Sequence, residues 1–164
     1  MAALKPGTKA PAVELPLLGG GTFSLGGALS RGAVALAFFK VSCPVCQYAF
    51  PYFDRMANLM NGKGVTFIGV SQDSGADTRD FAKSFGVHFP IVLDDTARYP
   101  VSNAYGLTNV PTLFVVQEDG TISHAIISWS KQELEMLFAG FRDSQNANVK
   151  LFPPGENVAD FRPG

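Results

Sequence analysis

At 164 residues, 46% apolar and 16% charged, the chain suits one domain with its own core and is too apolar for a disordered segment. A formal net charge of −1 without any basic block argues against nucleic acid as a partner. No apolar run approaches the roughly 18 residues that a membrane span needs, so no membrane partner is expected either.

The opening "MAALKPGTKAPAVELP" has no basic region followed by a long apolar stretch. A cytoplasmic protein is expected on that ground, although a chain trimmed of its leader would read the same way. Val13 to Leu17 and Thr22 to Leu25 flank three glycines and predict an N-terminal β-hairpin. The run "AVALAFF" (33–39) is apolar throughout, as a strand buried on both faces should be. A helix should start at Pro44, where the missing N–H costs nothing. Phe50, Phe53, Ala57 and Met60 recur at helical spacing before Asn61-Gly62, with Pro51 expected to kink the helix.

"VTFIGV" predicts a second parallel strand, and 77–85 a helix closed by Gly86. "FPIVLDD" gives a short strand and "ARYPVSNAYG" a short helical segment. "TLFVVQEDGTISHAII" gives a hairpin around Glu118-Asp119-Gly120. Ser130 and Glu133 make a capping-box pattern ahead of Leu134, Leu137, Phe138 and Phe141, which predicts the last helix. From Asn146 onward the chain is rich in Pro and Gly. The expected organisation is one α/β domain over 1–145 and an extended tail over 146–164 packed on or beside it.

Both cysteines of the chain lie in "KVSCPVCQYAFP", straight after the first buried strand. A structural zinc would need four ligands, and His88 and His124 stand in separate elements with no spacing relation to the pair. A structural disulfide between Cys43 and Cys46 would close a very small loop, where the entropic gain is least. Cysteine–histidine hydrolysis would need a base held by a third group, which nothing marks. Thiol–disulfide exchange remains, with no metal and no cofactor expected. Cys43 at a strand end and ahead of a helix start faces unpaired N–H groups and the positive end of the helix dipole. Cys46, one turn inward, is near enough to resolve a mixed disulfide on Cys43.

In these residues and over nearly its whole length, the chain resembles the thioredoxin-fold redoxin group. That group, the AhpC/TSA-like superfamily, spans the peroxiredoxins and the TlpA/ResA-type thiol–disulfide oxidoreductases, and the second are the nearer. "KPGTKAPAVELPLLGGGTFSL" resembles the N-terminal extension, "GVSQDS" the second strand and loop, and "AYGLTNVPTLFVVQEDGTI" the cis-proline hairpin. The resemblance implies a central mixed sheet flanked by helices, with an N-terminal β-hairpin extension and a βα insertion before the cis-Pro strand. It implies a redox-active CPVC motif with Cys43 as nucleophile and Cys46 resolving, and Val110 with Pro111 docking the substrate backbone. The partners implied are protein or small-molecule disulfides and dithiols, together with a thiol reductant system.

The chain departs from the group in places. Ala37 and Ala49 stand where relatives carry a buried acid, so the proton acceptor for Cys46 is not evident. Lys40, Pro44 or Glu14 could serve as modulators, and Pro44, Tyr48 and Phe50 could form an apolar rim. Where the peroxiredoxin branch carries Pro, Thr or Ser ahead of its cysteine, this chain has Leu36 and Lys40. Peroxidase activity is therefore the second expectation, and a non-catalytic binding module the third.

Overall fold

The structure is a computed structural model that describes residues 2–141 and 148–164. The expected boundary between domain and tail, at 145/146, lies outside the described residues.

The chain opens with an antiparallel hairpin, β1 (Glu14–Pro16) and β2 (Thr22–Ser24), followed at once by a short helix α1 (Leu25–Leu29). Ser24 caps α1 by accepting from the Gly27 N–H, so Leu25, expected as the last strand residue, starts a helix instead. Then come β3 (Ala33–Phe39), α2 (Pro44–Leu59), β4 (Val65–Ser71), α3 (Gly75–Phe85), β5 (Ile91–Leu93) and α4 (Pro100–Ala104). The chain continues through β6 (Thr112–Val116), β7 (Ile122–Ile127), β8 (Trp129–Ser130), α5 (Lys131–Phe141) and β9 (Phe161–Arg162). The bounds expected for β3 are met, and α2 runs without interruption through Pro51.

Five strands form one sheet in the order β5-β4-β3-β6-β7. β3 pairs in parallel with β4 and antiparallel with β6, so the sheet is mixed. The expected βα insertion before the cis-Pro strand is β5 with α4, β5 adding a parallel edge to β4. Side chains alternate across a strand, and β3 divides the core accordingly. Ala35, Ala37 and Phe39 face α2, α3 and α5, whereas Val34, Leu36 and Phe38 face the hairpin, α1 and Tyr105. Every residue of β3 is buried, which is why it reads as one apolar run.

The described part of the tail is not merely extended. Leu151, Phe152 and Val158 join the core on the α2 side, and β9 pairs with β8. Trp129, fully buried, donates its indole N–H to the Ala159 carbonyl at 2.6 Å.

Candidate active site

β3 ends at Phe39, and the turn 40–43 delivers the chain to the start of α2. Cys43 holds the capping position with extended backbone angles, φ −81° and ψ 116°. Its Sγ accepts from the Cys46 N–H at 3.3 Å, in the role an oxygen side chain commonly fills at a helix start. Pro44 follows at the first helical position, has no N–H to satisfy, and is exposed. Cys43 is part-exposed and Cys46 fully buried, and both are free thiols.

Burial pushes the Cys46 thiol well above the ordinary thiol range. Cys43 beside it and the Asp73 carboxylate push the same way, while a backbone hydrogen bond at Lys40 opposes them. Cys46 is thus held as a neutral thiol until something removes its proton.

The Val110 carbonyl faces Cys43, whose S–H can donate to it at 3.5 Å. The Val110–Pro111 peptide is cis, Pro111 is buried, and Val110 is half-buried. Thr112 Oγ1 donates to the Asn109 carbonyl at 2.8 Å and the Ser128 N–H to that of Pro111 at 2.8 Å. These bonds seat the 109–112 turn opposite the helix start.

The remaining candidates divide. The Lys40 carbonyl accepts from the Cys43 N–H at 3.2 Å, but its ammonium lies 6.0 Å from the centre of the Tyr99 ring. Glu14 is on the exposed face of β1, and no hydrogen bond or ion pair joins it to either cysteine among the described residues. Tyr48 flanks the helix start. Phe50 does not form a rim: it is fully buried, its ring 4.3 Å from that of Phe39, because two residues beyond Tyr48 the helix turns it into the core. His88 pairs with Asp54 and His124 with Ser123, both away from the cysteines. Among the described residues no cluster of His, Cys, Asp or Glu is placed to hold a metal ion.

Sequence reasoning missed Asp73 and Gln47. Asp73 Oδ2 accepts from the Val41 N–H at 2.8 Å, and Gln47 Nε2 donates to the Val41 carbonyl at 2.9 Å. Together they clamp the peptide groups on either side of Val41, just ahead of Cys43. The available signal was a carboxylate two residues past the end of a parallel strand, where sites of α/β folds gather.

The comparisons agree with this geometry. Residues 6–125 match the AhpC/TSA family. Thiol-disulfide oxidoreductase ResA of Geobacillus thermodenitrificans is 30% identical over 132 residues, covering 80% of this chain and 74% of that protein. ResA of Bacillus subtilis is 30% identical over 121 residues, covering 73% and 66%. The thioredoxin domain of a Bacteroides vulgatus thiol-disulfide oxidoreductase superposes with a TM-score of 0.71 at 25% identity, covering 77% of this chain and 91% of that one. By sequence, fold and paired thiols, the chain belongs to the AhpC/TSA family, as a thioredoxin-fold thiol–disulfide oxidoreductase.

Proposed function

We propose that Cys43 attacks and Cys46 resolves. The Cys43 thiolate displaces one sulfur of a disulfide RS–SR′, forming the Cys43–S–SR bond and releasing R′S⁻. Cys46 then loses its proton and attacks Cys43 Sγ, releasing RS⁻ and leaving a Cys43–Cys46 disulfide. Two electrons have passed to the substrate, and a thiol reductant returns the pair to the dithiol. The observation that carries this assignment is the contrast within one helical turn. One sulfur is part-exposed and accepts from an N–H, and the other is fully buried, which pushes its pKa up.

Val110 offers its backbone beside Cys43, where an extended substrate could pair with it before exchange. Protein and small-molecule disulfides are the substrate class. Reduction of insulin by dithiothreitol tests the function. The protein should shorten the lag before insulin precipitates, and Cys43→Ser should abolish that effect. A wild-type protein no faster than dithiothreitol alone toward both insulin and 2-hydroxyethyl disulfide would contradict it.

A further inference from the structure

Beside Cys43 lies a stretch of chain that the exchange chemistry does not use. After β9 pairs with β8, the backbone runs on to Gly164. The Gly164 N–H donates to Ser128 Oγ at 2.9 Å, and a main-chain oxygen of Gly164 accepts from Asn109 Nδ2 at 3.0 Å. The approach is close: a Cβ built on Gly164 would run into the Val110 carbonyl and lie 3.3 Å from Ser128 Oγ. That carbonyl is the one 3.5 Å from Cys43 Sγ. Further back, the Arg162 guanidinium sits 4.0 Å from the centre of the Tyr48 ring, and the Ala159 N–H donates to the Tyr48 hydroxyl at 2.9 Å. The segment therefore touches both walls of the site, the start of α2 and the 109–111 turn.

We infer that residues 161–164 act as a size filter over Val110, favouring compact low-molecular-weight disulfides over extended polypeptides. A small disulfide needs only the exposed side of Cys43. An extended polypeptide gains its affinity through main-chain hydrogen bonds to an exposed edge, and residue 164 already lies against the backbone that would provide them. The filter rests on Val110 being the docking backbone. Its hold is weak enough to yield. A pair of two-residue strands is marginal by itself, the bond to Asn109 is exposed, and the cation–π contact is made by an exposed Arg162. An extended substrate then binds only the fraction of molecules whose strap is lifted, and its apparent affinity falls by that fraction.

Single-turnover oxidation of the reduced full chain, quenched with acid and alkylated, gives the rate with each disulfide. The probes are 2-hydroxyethyl disulfide and insulin. Gly164→Ala forces residue 164 off the Val110 carbonyl, Arg162→Ala removes the contact with Tyr48, and deletion of 161–164 removes the strap. The insulin rate should rise about three- to tenfold as the lifted fraction grows, while the 2-hydroxyethyl disulfide rate stays within about twofold. Unchanged insulin rates, parallel changes with both disulfides, or a fall with insulin alone would overturn the filter, the last by making the strap a platform. Should the deletion fail to fold by circular dichroism, the two point variants decide. A wild-type protein unreactive toward both disulfides would instead refute the exchange chemistry itself.

Discussion

Cys46 and Cys43 share a helical turn and differ in what solvent can reach. Reduced protein treated with iodoacetamide near neutral pH should therefore label at Cys43 first, because alkylation needs an exposed thiolate. Burial holds Cys46 protonated as well as hidden. Peptide mapping that found Cys46 labelled first, or both at one rate, would reverse the roles. A second residue-scale expectation concerns His88, which Asp54 holds at 3.0 Å and whose pKa that hydrogen bond raises. A raised pKa means that the stabilisation is complete below the unfolded value of about 6.5 and fades as pH climbs through the folded one. The stability gap between wild type and His88→Ala, read as urea midpoints, should be wider near pH ~5.5 than near pH ~9. A gap that is flat or widens upward would contradict the pair. At this scale the sequence revealed the cysteines, because their spacing is local. Asp73 was hidden because its value comes from meeting Val41, 32 residues away along the chain.

Whole elements were legible where burial writes itself into a run. β3 is buried at every position, and α3 carries its own stop, Gly86 at φ 66°. With no Cβ, glycine adopts that left-handed conformation freely. Gly86→Ala meets no steric neighbour, so its cost should be the backbone term alone, about 1 kcal/mol. A loss near zero in urea unfolding would mean that the helix end rearranges. The elements that escaped notice are the short ones. α1 has two glycines among its five residues and leans on the Ser24 cap. β8 and β9 have two residues each and exist only through each other, which no local pattern can announce.

Across the whole molecule, residues 151–159 are fastened firmly to the active-site helix, in contrast to the strap at 161–164. Arg55 on α2 forms a two-pronged pair with Glu156 at 2.7 and 2.8 Å and donates to the Leu151 carbonyl at 3.1 Å. Trp129 packs edge-on against Tyr48 and Phe152. A Pro/Gly-rich composition suggested an extended segment, and it hid the spaced apolar anchors Leu151, Phe152 and Val158. Trp129→Ala should cost about 3–5 kcal/mol, since it empties a fully buried site that joins helix, sheet and tail. A loss under about 1 kcal/mol would show that the tail seat contributes little.

Attack by Cys43 and resolution by Cys46 predict an intermediate that can be trapped. Reduced Cys46→Ser mixed with excess 2-hydroxyethyl disulfide should hold one mercaptoethanol adduct on Cys43, seen as a mass increase that dithiothreitol removes. Wild type should pass through that adduct to its internal disulfide. Cys43→Ser should acquire the adduct far more slowly, because its remaining thiol is buried and protonated. If Cys43→Ser traps as fast as Cys46→Ser, or neither variant traps the adduct at all, the division of labour between the two thiols is wrong.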